Sequence, residues 1–264
     1  MEQNKVEKIV NGSGFPLQIG IKTLIEKNQE NLPWRVLFQE HSWVNYNEDK
    51  GGFIDLLLLS KCKVIVLNIE CKRVKDVNWL FLQPSTELTS RRHAKAFHTR
   101  AENGNIQRMG WIDVATEPTT PESEFCVFGG QDGASRSMLE KLAAEVVEST
   151  EGFAIEDHSY SHSTPDFFRY YFNVIVTNAE LHVCNFDPES VDISKGTINE
   201  ATTTSVPFLR FRKQLSIHET PELSWEKVGP REISRAKENT VFVVNSSHIL
   251  EFLRSFDLDD TYRT

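Results

Sequence analysis

The sequence lacks any long hydrophobic run. Its longest apolar stretches, such as residues 53–59, have the length of a β-strand, whereas a helix that crosses a bilayer needs about 20 apolar residues. The chain begins with a polar segment, residues 1–5, and no apolar stretch suited to a signal peptide follows it. We therefore expect a cytoplasmic protein without membrane contact.

Cysteine pairs with metal-ligand spacing are absent as well. Cys62, Cys71, Cys126 and Cys184 show no CxxC spacing, and each lies in an apolar, strand-like stretch. A zinc site needs paired ligands, and a disulfide framework needs an oxidising compartment. The pattern favours reduced cysteines in the core of the protein.

A general excess of basic charge is also missing, because 29 Lys and Arg residues face 38 Asp and Glu residues and the net charge is −9. This balance argues against a surface coated for nucleic-acid binding, but it is compatible with a local basic surface. A chain of 264 residues can bury a substantial core. We expect one domain over residues 1–264.

Hydrophobic periodicity predicts a succession of helices and strands. A first helix is predicted over residues 14–28, with Ser13 as its N-cap and Pro16 in its first turn. Two continuously apolar strands, 53–59 and 64–70, should form a hairpin buried on both faces at the centre of a sheet. Further predictions are strands at 35–44, 125–128, 170–177, 181–186, 208–212 and 240–244, helices at 86–108, 135–149 and 249–256 (the last capped by Ser246 or Ser247), and long polar loops at 187–206 and 216–239. This order predicts an α/β fold with a central mixed sheet flanked by helices.

The predicted hairpin carries a candidate catalytic group. Asp55 lies within its first strand and Glu70 near the end of its second, and Lys72 shares a strand face with Glu70. A carboxylate within a run of Ile and Leu is costly unless a partner compensates its desolvation. A divalent cation shared with Glu70 would do so, because Mg²⁺ favours one or two carboxylates together with water and phosphate oxygens.

The residues next to Glu70 complete the set. The backbone carbonyl of Cys71 is a further candidate metal ligand. Lys72 could lower the pKa of an attacking water, orient it, or stabilise the charge on the scissile phosphate. Two acids, a lysine and a carbonyl are the minimum for metal-assisted phosphodiester hydrolysis.

These residues resemble a known family of nucleases. Residues 53–73, with Asp55 and the sequence Glu70-Cys71-Lys72, are similar to the PD-(D/E)XK nuclease superfamily. The flanking stretches SGFPLQ (13–18) and VNWLFLQP (77–84) resemble bacterial restriction-endonuclease-like proteins of the type IV or Mrr-like sort, and the strands in 174–184 and 207–212 do so more weakly. The resemblance implies a restriction-endonuclease-like core with a C-terminal α/β extension, Mg²⁺ or Mn²⁺ as the cofactor, and duplex DNA as the substrate.

Two positions depart from the family pattern. Ile54 stands where the family has proline before the aspartate, a position with a structural role. The first helix of the family carries an acidic residue near the metal, and the matching position here is Gln18, with Glu26 as a later candidate on the same helix. Gln18 could still hold a metal-bound water, but it adds no negative charge.

Candidate DNA contacts form two groups. Arg73 and Lys75 directly follow the motif and should lie near the site. The stretch 91–108 has five basic residues against the single acid Glu102, and we select its first three, Arg91, Arg92 and Lys95, as phosphate contacts. A solvated helix face is the alternative interpretation of this second group.

The leading functional hypothesis is a Mg²⁺-dependent DNA endonuclease in bacterial restriction or defence. The alternative is a catalytically weak binding or regulatory subunit that keeps the nuclease fold within a larger complex. A nuclease that acts on RNA or single strands shares the same metal chemistry and stays open. Because cutting both strands of a duplex requires two sites, a homodimer is also expected.

Overall fold

The computed structural model describes residues 3–45, 50–75, 78–85, 91–103, 105–128, 138–160, 167–215 and 229–259. Within these ranges the protein is a mixed α/β structure with a large mixed β-sheet and five α-helices. The helices are α1 (Gln3–Gly12), α2 (Phe15–Lys27), α3 (Met138–Tyr160), α4 (Pro230–Ala236) and α5 (Ile249–Ser255). None of these helices is long and apolar enough to cross a membrane.

Sixteen strands are present in the same ranges. They are β1 (Trp34–Asn45), β2 (Lys50–Ser60), β3 (Ile65–Lys72), β4 (Asn78–Pro84), β5 (Arg91–Glu102), β6 (Asn105–Thr120), β7 (Glu122–Ser123), β8 (Phe125–Val127), β9 (Phe167–Thr177), β10 (Glu180–Phe186), β11 (Val191–Asp192), β12 (Thr197–Ile198), β13 (Thr202–Ser205), β14 (Phe208–Lys213), β15 (Asn239–Asn245) and β16 (Asp257–Leu258).

The large sheet has the main order β1-β2-β3-β9-β15-β14-β7, and β5 joins it by pairing with β9. Strands β1, β2 and β3 run antiparallel to one another in succession, whereas β3, β9 and β15 run parallel. The predicted hairpin and its central position are therefore confirmed. Its four leucines at 56–59 are almost completely buried, as continuous apolarity predicts. A separate four-stranded sheet has the order β13-β10-β4-β8.

Helices cover both faces of the large sheet around β2 and β3. On one face, α2 and α5 pack against the sheet through residues such as Ile25 and Phe252, and the indole N–H of Trp34 donates to the backbone carbonyl of Leu253 at 2.7 Å. On the other face, α3 packs through Phe153 and Ala154 against Val66 and other sheet residues. The hairpin thus forms the middle layer of three.

A chain of buried polar side chains fastens α3 to three parallel strands. The Asn68 amide donates to the hydroxyls of Ser149 and Thr150, both at 2.8 Å. Thr150 in turn donates to Asn173 at 2.7 Å, and Asn173 donates to the backbone carbonyl of Thr240 at 3.0 Å. Buried polar groups are stabilising when they are fully paired and costly when they are not. This network therefore fixes the position of α3 over β3, where Glu70 and Lys72 lie.

The sequence-based prediction of a helix over 86–108 is wrong. Residues 91–102 and 105–120 form the antiparallel pair β5 and β6, and residues 86–90 lie outside the described ranges. Alanine, lysine and arginine favour helices in isolation, but pairing with β9 and burial of Ala94, Ala96 and Phe97 outweigh that preference.

Several smaller predictions are corrected as well. Ser13 does not cap α2: its hydroxyl donates to the carbonyl of Val10 at the end of α1, a helix that the periodicity did not predict. Asn245, and neither of the two predicted serines, caps the turn before α5 by accepting from the Ser247 N–H at 2.9 Å. The predicted loop at 187–206 contains β11, β12 and β13, and the predicted loop at 216–239 contains α4, with residues 216–228 outside the described ranges. All four cysteines are free, as expected, but Cys62 is exposed and not part of the core.

We expect Asn68→Ala to lower the free energy of unfolding by about 1–3 kcal/mol, because it leaves buried hydroxyls without their donor. Urea denaturation followed by circular dichroism measures this change. The control is Asn28→Ala, since Asn28 makes an exposed hydrogen bond to Leu24 and its loss should cost less than about 0.5 kcal/mol. Equal, small effects of the two substitutions would contradict the role given to the buried network.

Candidate active site

Asp55 lies where β2 separates from β3. The last pair between these strands is Leu56 with Ile69, and beyond it the Asp55 carboxylate accepts a hydrogen bond from the backbone N–H of Cys71 at 2.7 Å. The N–H and C=O of one strand residue face the same neighbouring strand. The Cys71 carbonyl therefore faces the gap in which the Asp55 carboxylate lies.

Glu70 and Lys72 lie at the carboxyl end of β3 on the face that α3 covers, because they alternate with Asn68. Both side chains are half-buried. The Cys71 side chain points to the opposite face and is buried in the core with residues of α2. Burial also raises the pKa of the Cys71 thiol well above its ordinary value, so the thiol stays neutral. Its backbone carbonyl is the group of Cys71 that fits a hard cation.

Burial is the main influence on both carboxyl groups. It raises the pKa of Asp55 to about 6, although the hydrogen bond from Cys71 opposes the shift. Burial raises the pKa of Glu70 to about 8, and the nearby charges of Asp55 and Glu145 raise it further. Near neutral pH, the two groups together therefore favour a proton or a cation between them.

Lys72 is the positive charge of this group. It lowers the pKa of Asp55 and of Glu70, so its ammonium is close enough to be felt by both. Within the described residues it forms no ion pair with a carboxylate. The lysine is therefore available to a further anionic group.

The predicted helix position Gln18 does face this group of residues. Its side chain is only 3% exposed, and its amide donates to the Glu40 carboxylate and to the backbone carbonyl of Asp55, the latter at 3.1 Å. The other helix candidate, Glu26, lies on the exposed side of α2 and pairs with Lys22 at 3.3 Å, so it is not part of the site.

Glu40 is the residue that sequence reasoning missed. It lies in β1, and its charge raises the pKa of both Asp55 and Glu70. Its backbone has a φ of 51°, in the left-handed region, which strand periodicity does not reveal. The only available signal was an acid in the strand that neighbours Asp55.

The donor set is suited to one cation and is not a cage. Among the residues that the structure describes, no three His, Cys, Asp or Glu side chains are arranged to hold a metal ion. The site instead offers the Asp55 and Glu70 carboxylates and a backbone carbonyl. This is the small set that Mg²⁺ uses when water and phosphate oxygens fill its remaining positions.

The two groups of predicted DNA contacts have different surroundings. Arg73 and Lys75 follow directly on β3, and their side chains make no hydrogen bond or ion pair with other described residues. In contrast, Arg91 pairs with Glu122, and Arg92 pairs with Glu117 at 3.0 Å and Asp259 at 2.9 Å.

Lys95 is the least accessible of the predicted contacts. Its side chain is 7% exposed and pairs with Asp113 at 3.1 Å. The three basic residues of β5 therefore form neither the predicted helix face nor an open basic patch, because nearby acids neutralise them. Arg73 and Lys75 are the better candidates for phosphate contacts.

Comparisons of the chain with models of protein families, with curated proteins and with solved structures find no match. Any function inferred for the protein therefore depends on the geometry and chemistry of its own residues.

In metal-free buffer, Glu70→Gln should stabilise the protein increasingly as the pH rises from 5 to 8.5. The folded protein holds the Glu70 proton up to about pH 8, whereas the ordinary value is 4.5. Its stabilising contribution is therefore complete below about pH 4.5 and is lost as the pH rises through about 8. Melting temperatures of both proteins in EDTA across this range test the prediction. A difference that stays constant with pH would contradict it.

Proposed function

We propose that the protein is a Mg²⁺-dependent nuclease of the PD-(D/E)XK type, with a restriction-endonuclease-like core, that hydrolyses DNA phosphodiester bonds as an endonuclease in bacterial restriction or defence. The observation that carries the proposal is the meeting of Asp55, Glu70 and Lys72 at the gap between β2 and β3. Their spacing in the sequence and their proximity in the fold are separate findings that agree.

The carboxylates support a metal site because of their surroundings. Asp55 uses one oxygen to accept from the Cys71 N–H, which leaves the other for a cation. With pKa values raised to about 6 and about 8, Asp55 and Glu70 hold a proton between them near neutral pH, and a divalent cation would displace that proton. With the Cys71 carbonyl they would hold Mg²⁺ or Mn²⁺, which would supply Lewis acidity at the phosphate and lower the pKa of a bound water.

Lys72 supports hydrolysis of a phosphate diester. Its ammonium lies on the same strand face as Glu70 and has no ion-pair partner within the described residues. Such a group can orient the attacking water and stabilise the negative charge that develops on the phosphate. Arg73 and Lys75, next along the chain, would hold the phosphates of a nucleic acid across the same edge of the sheet.

Wild-type protein should nick or linearise a supercoiled plasmid with Mg²⁺ or Mn²⁺, and Lys72→Ala should lower the rate at least about 100-fold, as loss of a group that stabilises the transition state does. Gel electrophoresis of the plasmid measures both rates. The matched control is Lys61→Ala, because Lys61 is an exposed lysine at the opposite end of the β2–β3 hairpin.

Full activity in Lys72→Ala, Asp55→Ala and Glu70→Ala would contradict the proposal. Binding of DNA without metal-stimulated cleavage in the wild type would instead favour the alternative of a binding or regulatory subunit. The observation that supports this alternative is the uncharged Gln18 at the helix position where the family has an acid. Cleavage of RNA or single strands alone would keep the chemistry and change the substrate. Linear product without a nicked intermediate would support the expected homodimer.

The double change Arg73→Ala and Lys75→Ala should weaken duplex binding and its salt dependence. Each lost phosphate contact reduces the slope of log K against log salt by about 0.9, so a reduction of up to about 2 is expected. Fluorescence anisotropy in EDTA measures binding without cleavage. Arg92→Ala is the control, because Arg92 is already paired with Glu117 and Asp259 and should leave the slope unchanged. A larger decrease of the slope for Arg92→Ala than for the double change would instead indicate that the DNA-binding surface lies on β5.

A further inference from the structure

A polar cavity of about 480 Å³ is bordered by α4 and by the strands β5, β6, β7 and β14. This volume is within the range of pockets that bind small molecules, about 300–1,000 Å³. Every described residue of its lining has a polar side chain, and four of these residues are Arg91, Arg212, Arg231 and Arg235. Such a lining is unsuited to an apolar molecule and suited to a charged one.

The cavity is separate from the candidate active site. Arg212 of β14 pairs with Thr240 near the start of β15, whereas Lys72 aligns through β9 with Asn245 at the end of β15. Five residues along β15 and three strand spacings therefore separate the two places, which amounts to about 20 Å at about 3.3 Å per residue and about 4.8 Å per strand. A ligand in this cavity would not contact the candidate active site, so an inference about it goes beyond the proposed function.

On the side of the sheet, the arginines of the cavity are paired with acids. Arg212 is buried, and its guanidinium pairs with Asp113 at 3.1 Å and with Glu238 at 2.7 Å. Arg91 pairs with Glu122 at 3.4 Å. Because each of these two arginines is balanced by a carboxylate, this wall is polar but adds little net charge to the cavity.

The wall formed by α4 differs, because its arginines have no acidic partner. Arg231 and Arg235 are exposed, and neither forms an ion pair or a hydrogen bond with another described residue. They are four residues apart, so their side chains project from the same side of the helix. The Gln214 side chain donates to the Ser234 hydroxyl at 3.0 Å and holds the helix against the end of β14. Two unpaired guanidinium groups therefore line one side of the cavity, where one anion could contact both.

A small phosphate monoester fits this arrangement better than a nucleic acid does. Guanidinium groups bind phosphate oxygens through charge-assisted and often paired hydrogen bonds. The carboxylates of the opposite wall, such as Glu122 and Glu238, would repel the many charges of a duplex, but carboxylate oxygens can accept hydrogen bonds from the hydroxyls of a small molecule. The cavity thus offers donors to one anionic end of a ligand and acceptors to a hydroxylated remainder.

We infer that this cavity binds a small phosphate monoester that carries hydroxyl groups, either a sugar phosphate or a nucleoside monophosphate. Arg231 and Arg235 would hold the phosphate, and the carboxylates of the opposite wall would accept hydrogen bonds from the hydroxyls. The two kinds of ligand share this chemistry and differ in the base, so a comparison of their affinities distinguishes them.

Calorimetric titration of the full chain in EDTA with ribose 5-phosphate, adenosine monophosphate and inorganic phosphate tests the site. Both monoesters should bind more tightly than inorganic phosphate, and tighter binding of adenosine monophosphate than of ribose 5-phosphate would identify the nucleotide. The double change Arg231→Gln and Arg235→Gln should weaken the binding of both monoesters at least about 10-fold, the effect of losing hydrogen bonds to a charged group. Arg254→Gln is the matched control, because Arg254 is an exposed arginine of α5 without an ion pair to another described residue, and its affinity should equal that of the wild type.

Failure of both monoesters to bind the wild type would overturn the inference, and so would equal affinities of the double variant and the wild type. Inorganic phosphate that binds as tightly as the monoesters would refute the hydroxyl contacts and with them the class of ligand. If neither monoester binds, and a duplex oligonucleotide loses affinity in the double variant, α4 belongs to a DNA-binding surface instead. None of these results depends on Asp55, Glu70 or Lys72, so the proposed function is tested separately.

Discussion

The hydrogen bond from the Cys71 N–H to the Asp55 carboxylate is the interaction on which the candidate site depends. It occurs where β2 would otherwise continue its ladder with β3, so a side chain takes the place of the next backbone pair. This exchange keeps the Cys71 N–H satisfied while the strands separate. It also leaves a backbone carbonyl and two carboxylates around a gap that neither strand fills. An asparagine at this position could keep the hydrogen bond, but it would lose the charge.

The rest of the fold holds this gap in place. On one face, α2 brings Gln18 to it, because Ile21 and Ile25 bury the same side of that helix in the core. On the other face, the network of Asn68, Thr150 and Asn173 fixes α3 above Glu70 and Lys72. Buried polar contacts of this kind define one packing arrangement more strictly than apolar contacts do. The site is therefore supported by directional bonds on both of its sides.

The sequence predicted the central hairpin and the motif well, and for the same reason. A strand buried on both faces must be continuously apolar, so the acid within 53–59 stood out against its neighbours. The helix predicted for 86–108 failed because Ala, Lys and Arg are good helix formers, and only the pairing of β5 with β9 reveals that the segment is extended. The helix predicted at 135–149 ended too early, since Ser149, Thr150 and Gly152 disfavour helices in isolation. In α3 the serine and threonine are retained through their bonds to Asn68, and Gly152 contacts Trp43.

Glu40 and Gln18 show why the remainder of the site was beyond the reach of sequence reasoning. Glu40 is 22 residues from Gln18 and 15 from Asp55, and neither spacing follows a periodicity of helix or strand. Only the left-handed backbone at Glu40 and the register of β1 bring the three together. Taken alone, an amide at Gln18 signifies a lost acid. In the presence of Glu40, the amide is the better residue, because it can donate to a carboxylate and to a carbonyl that a second acid would repel.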